Sequence, residues 1–204
     1  MRTSPTLSPV KAQLQKATTM TTTKPDLLTA DDLLRLSGEG FKGELIRGAL
    51  HETMPAGVNH GRIVVKLVLL MGAFVMPRRL GTLLASDTGI LLERDPDTVR
   101  EPDIAYISSE RLPIDEDVPG YSEIVPDLVV EVASPNDSLA GVRRKALMWL
   151  DHGVRLVWAA HPDARAIDIY QADGSMLTLT EDDTLDGGET LPGFTCLVSD
   201  IFAA

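Results

Sequence analysis

The chain has 204 residues, 44% of them hydrophobic, and a formal net charge of −11. That is enough apolar material for one domain with a real core, and the acidic balance excludes a protein that coats nucleic acid along a broad basic surface. The single cysteine, Cys196, excludes an intramolecular disulfide framework and reads as packing rather than as a nucleophile.

The charge is uneven. Arg2, Lys11, Lys16 and Lys24 stand in the first 25 residues without a single acid, so the rest of the chain is near −15. Residues 1–25 are rich in Ser, Thr and Pro and show no apolar period, so a disordered tail is expected, with one domain over residues 26–204. The longest apolar run, 63–76, contains Lys66 and follows Arg62. It is too short and too charged to span a bilayer, so a cytoplasmic protein with no membrane contact is expected.

Taken in order, residues 29–36 predict a short helix that Thr29 caps and whose first turn holds Asp31 and Asp32. Residues 41–46 and 49–54, joined by Arg47-Gly48, predict a hairpin. A long helix over 59–76 follows, its face marked by His60, Val64, Leu67, Met71 and Phe74. Short strands are expected at 82–86 and 88–92, and a third over 99–107. A polar loop spans 108–125. Residues 127–133 are almost wholly apolar after Asp127, as in a central strand covered on both faces. The turn 134–137 leads into a helix ending at His152, with Leu139, Val142, Ala146, Leu147 and Leu150 as its buried face. Strands at 155–160, 166–170 and 176–179 close the chain, the last two joined by Asp173-Gly174. The acidic stretch 181–189 reads as a solvated loop. The order of elements predicts an α/β domain on a mixed sheet.

The chemistry is concentrated between Arg100 and Lys145. Asp103 and Glu131 stand in strand-like apolar segments, where an acid is costly unless paired, hydrogen-bonded or bound to a metal. If their strands are neighbours the two carboxylates converge, and two hard oxygen ligands suit Mg²⁺ or Mn²⁺. A metal there polarises a scissile phosphate and activates water. Lys145, at the border of the buried helix face, can lay its stem on apolar surface and aim its ammonium at the same place. The residues therefore point to metal-dependent phosphodiester hydrolysis, with Asp103, Glu131 and Lys145 as its catalytic set. His60 reads as packed, and His51, His152 and His161 lack zinc-ligand spacing. Arg143-Arg144-Lys145 is either a solvated basic run or a phosphate contact. No Walker-type glycine loop is present.

Glu44-Leu45-Ile46-Arg47-Gly48, His60-Gly61, Ser86-Asp87-Thr88-Gly89, Arg100-Glu101-Pro102-Asp103-Ile104-Ala105, Val130-Glu131-Val132-Ala133-Ser134-Pro135 and the run from Lys145 to Trp158 give the chain its resemblance. It resembles the Uma-two family of restriction-endonuclease-like proteins, within the PD-(D/E)xK nuclease superfamily, over roughly residues 28 to 202. The resemblance implies a restriction-endonuclease-like mixed β-sheet core flanked by helices, with additional C-terminal strands. It implies Asp103 and Glu131 as metal ligands and Glu44 as a further acid. The superfamily's lysine lies two residues after the glutamate, where this chain has Ala133; the family's relocated lysine matches Lys145. Arg47 stands where an acid is expected and Trp149 where a tyrosine is frequent, neither touching the expected core of the site.

The leading reading is thus a Mg²⁺- or Mn²⁺-dependent endonuclease acting on DNA. A non-catalytic module on the same fold, binding nucleic acid or protein, is the rival that the net charge favours. A homodimer, formed through the 108–125 loop or the C-terminal strands, is a third expectation.

Overall fold

The computed structural model describes residues 27–203; the tail expected over 1–25 lies outside the described residues. The chain opens with helix α1 (Ala30–Gly38), whose first turn is closed by a reciprocal cap between Thr29 and Asp32. Strands β1 (Gly43–Ile46) and β2 (Ala49–Glu52) form the expected hairpin. Its two-residue turn places Arg47 at φ 49° and Gly48 at φ 79°, the left-handed pair such hairpins require. Helix α2 (Val58–Val75) follows, then β3 (Gly81–Ala85), β4 (Ile90–Glu93), β5 (Thr98–Arg100), β6 (Ile104–Ser108) and β7 (Leu128–Val132). After helix α3 (Leu139–Asp151) come β8 (Leu156–His161), β9 (Ala166–Gln171), β10 (Met176–Leu179), β11 (Thr184–Asp186), β12 (Thr195–Leu197) and the short helix α4 (Val198–Phe202).

The central sheet has six strands in the order β10-β9-β8-β7-β6-β3. Only β7 and β8 run parallel; the crossover between them is α3. Every residue of β7 and β8 is buried, as their apolar sequences predict. One face of the sheet packs on Ile63, Val64, Leu67, Met71 and Val75 of α2 and on Leu185, Phe194 and Ile201 from the C-terminal segment. The other packs on Val142, Ala146 and Trp149 of α3. A second sheet, β2-β1-β5-β4, carries α1 and a smaller core around Leu33, Leu45 and Val99.

Four expectations are corrected. The strand read over 99–107 is two strands in two sheets. Pro102 has no N–H to donate, and the chain crosses from one sheet to the other at Glu101-Pro102-Asp103. The stretch 181–189 is not merely solvated: β11 pairs with β12, and Leu185 is fully buried. In α3 the buried face turns by one position from Leu147 and Leu150 to Trp149, leaving Leu139 74% and Leu147 41% exposed. The largest apolar surface available on the helix is the indole, and it takes the interior position. Lastly, the reading of the 63–76 run as too short to span a bilayer does not carry to the helix that contains it: α2 has the 18 residues expected and is long and apolar enough to cross a membrane by length and composition. Here one side of it is built into the core, while Arg62 interrupts the outer side.

Candidate active site

The site lies where the two sheets part. In the β6–β7 pairing Ile104 faces Val130 and Ala105 faces Val129. Carried one residue further, the register sets Asp103 across from Glu131, the direct cross-strand relation that leaves Cβ atoms ~5 Å apart. Glu131 lies on the face with Val129, toward α3, whereas the Asp103 carboxylate reaches His60 of α2.

Asp103 is held from two directions. Its Oδ2 accepts the backbone N–H of Val132 at 2.7 Å and lies 3.2 Å from His60 Nε2. Its Oδ1 has no hydrogen bond among the described residues, although the carboxylate is only partly exposed. His60, nearly buried on α2, is both a core residue and part of the site. The bond to Asp103 pushes its pKa above 6.5, against the opposing effect of burial.

Glu131 is 4% exposed. Its Oε2 accepts from Lys145 Nζ at 2.9 Å and its Oε1 from Trp149 Nε1 at 2.6 Å. Burial raises its pKa above the usual carboxylate value, Lys145 opposes the rise, and the Asp103 charge adds to it. The Lys145 pKa is also raised: burial works against its charge, and Glu131, Glu44 and Asp103 outweigh burial. One turn separates Lys145 from Trp149, so a single helical face supplies both donors. Glu131 thus pairs with Lys145, and Arg143 stays exposed. The indole of Trp149, expected to stand clear of the site, touches its centre.

Glu44 reaches the same place from β1. Its Oε1 accepts the Glu101 N–H at 3.0 Å, and its Oε2 lies 2.9 Å from Arg100 Nε. That second contact is an ion pair whose N–H is out of line, so Arg100 Nε is buried without a hydrogen bond. Glu101 has its carboxyl pushed above the ordinary range by burial first, then by Glu44 and Asp87. Glu44, His60, Glu101, Asp103 and Lys145 all line one open cleft of about 710 Å³, with Lys42 and Asp87 paired at its rim.

The structure therefore brings Asp103, Glu131 and Lys145 together and sets Glu44 on the same cleft. Among the described residues, no three of His, Cys, Asp and Glu are gathered closely enough to form a ligand group by themselves. Four participants do not read as site residues from sequence: His60, Arg100, Glu101 and Trp149. His60 reads as packed and Trp149 as clear of the site, whereas each is buried and hydrogen-bonded at once. For Arg100 and Glu101 the signal was available in their adjacency to Pro102-Asp103.

The sequence profile of a family described as "Uma2: Putative restriction endonuclease" matches residues 30–199. The chain belongs to the Uma-two (Uma2) family. A crystal structure titled as that of a "putative nuclease belonging to DUF820" from Anabaena variabilis is similar to it. The two share 23% identity with a TM-score of 0.71, covering 86% of this chain and 97% of the other. No curated protein matches the sequence. At that identity the likeness shows the shared fold, a mixed α/β core with flanking helices, as the Uma2 resemblance had implied.

Proposed function

We propose that this Uma2 protein is a divalent-metal-dependent endonuclease that hydrolyses phosphodiester bonds in DNA. One observation supports the reading above the others: the β6–β7 register carries Asp103 across from Glu131 with the Lys145 ammonium 2.9 Å from Glu131, Asp103 and Lys145 lining the open cleft and Glu131 the cavity that adjoins it. The family description and the nuclease-titled fold neighbour support a nuclease-like function.

The donor set fits Mg²⁺ or Mn²⁺. Asp103 offers a free oxygen, and Glu131 offers a buried carboxylate whose two oxygens already accept from Lys145 and Trp149, so it would reach a cation through a remaining lone pair or by giving up one donor. Two hard oxygens are enough for an ion that keeps several waters. A bound ion supplies Lewis acidity toward the phosphate and a more acidic water. The protein's own residues do the rest. The Val132 N–H and His60 fix the Asp103 rotamer. Trp149 and Lys145 donate to Glu131 and favour its charged form against the effect of burial. Lys145 is positioned to orient the attacking water or to face the charge that builds on the phosphate. Glu44 is the third acid; with both oxygens engaged, it joins a metal only by giving up Arg100 or the Glu101 N–H. Cys196 and the absence of disulfides suit the cytoplasm. A homodimer completes the reading: among the described residues β10 is an unpaired sheet edge, with Met176 and Leu177 about half exposed, which would suit a second copy. Sedimentation showing only monomer at micromolar concentration would remove that part.

Plasmid and single-stranded DNA incubated with purified protein and Mg²⁺ or Mn²⁺ test the main claim. Cleavage is expected from wild type and a loss of at least a hundredfold from Asp103→Asn and Glu131→Gln. Cleavage equal in wild type and Glu131→Gln means contamination and ends the proposal. Folded wild type without cleavage or metal affinity favours a non-catalytic module instead.

A further inference from the structure

A second cavity, of about 400 Å³, adjoins the cleft. The two share Val132, Asp137 and Lys145 in their walls, so they meet around the Lys145 stem. Their charges differ. The cleft is walled by Glu44, Asp87, Glu101 and Asp103, whereas the second cavity gathers Arg100, Arg144 and Lys145. Its two acids are already engaged: Glu131 with Lys145 and Trp149, and Asp137 with the Ser134 N–H at 2.8 Å.

Two of its cations keep donors in reserve. Arg100 is paired with Glu44, yet its buried Nε makes no aligned hydrogen bond. Arg144 makes no ion pair or side-chain hydrogen bond among the described residues, and lies over the first turn of α3. Gly141 keeps that space open. A Cβ there would stand 3.2 Å from Ser138 Oγ and 4.0 Å from Arg144 Nη2. The first turn of the 13-residue α3 adds the positive end of a helix dipole to the same wall.

We infer that this cavity is an anion subsite for a phosphate of the DNA strand being cut, next to the scissile one. The inference rests on the nuclease reading above and adds a substrate preference. A cavity of this volume admits about one nucleotide unit, and a duplex, whose major groove alone is ~12 Å wide, stays outside. The strand that enters is single or frayed. The overall acidity of the protein fits such a site: affinity is confined to one basic recess and is not spread over the surface.

Fluorescence anisotropy of labelled single strands, with Ca²⁺ to fill oxygen ligands, tests this across a salt series. Arg144→Gln is expected to weaken binding several-fold and to reduce the slope of log K against log[salt] by about 0.7, one lost contact on a single strand. Gly141→Leu, which fills the recess and keeps every charge, is expected to weaken binding similarly. Arg143→Gln, an exposed neighbour outside the cavity, is expected to change neither quantity. If Arg144→Gln behaves like Arg143→Gln while wild type binds, the subsite is wrong and the nuclease reading stands. Duplex binding as tight as single-strand binding also overturns the subsite. Wild type that binds no strand overturns both.

Discussion

Lys145→Met keeps the apolar stem and removes the ammonium that faces Glu131 Oε2 at 2.9 Å. Glu131 is 5% exposed in its side chain and Lys145 is 42% exposed. Breaking a fully buried pair costs about 3–5 kcal/mol, because the remaining charge is stranded. An exposed pair is worth about 0–1 kcal/mol. This pair is half of each, so a loss of about 1–3 kcal/mol is expected at pH 7.5. The sign with pH follows from Glu131. Its folded pKa lies above the unfolded value, so folding favours the protonated acid. That contribution is complete below the ordinary carboxylate value and is lost as pH rises through the raised one. Removing Lys145 raises the folded value further. The destabilisation should therefore shrink as the pH falls toward the ordinary carboxylate range. It should shrink too in a Glu131→Gln background, where no charge is left stranded. Urea unfolding at pH 7.5 and 5, for the two single variants and the double, measures the cycle. A Lys145→Met loss that is unchanged by acid and by Glu131→Gln refutes the coupling.

Further outcomes are expected. Trp149→Phe removes the 2.6 Å donor to Glu131 Oε1 and should cost about 1.5–3 kcal/mol by denaturant unfolding, the range for a hydrogen bond to a charged group. Mg²⁺ at ten times its dissociation constant should stabilise wild type by about 1.4 kcal/mol in a thermal scan and leave Glu131→Gln unchanged. Burial pushes the Cys196 thiol up to about 11, so thiol reagents at pH 7.5 should label native protein far more slowly than urea-unfolded protein. Gly81→Ala drives a Cβ into the Ile107 carbonyl oxygen across the β3–β6 pair. That contact is with backbone, so a loss of more than about 2 kcal/mol, or no folded protein, should show by circular dichroism.

Most elements were legible in the sequence, because local rules decide them. Thr29 and Asp32 cap a helix wherever it stands, Arg47-Gly48 demands a tight turn, and the apolar run 128–132 must be covered on both faces. The two acids were legible for the same reason: a carboxylate in an apolar strand announces an energetic debt. What joins them was not. Asp103 and Glu131 are opposite each other only because β6 and β7 are neighbours in register, and strand adjacency is a global choice that no local pattern fixes. The crossing between sheets at Pro102, the core position of Leu185 and the second cavity beside Lys145 have the same origin. Trp149 shows it most plainly: the helical period leaves it off the expected buried face, and only the packing of α3 against the sheet turns its indole into the donor to Glu131 Oε1.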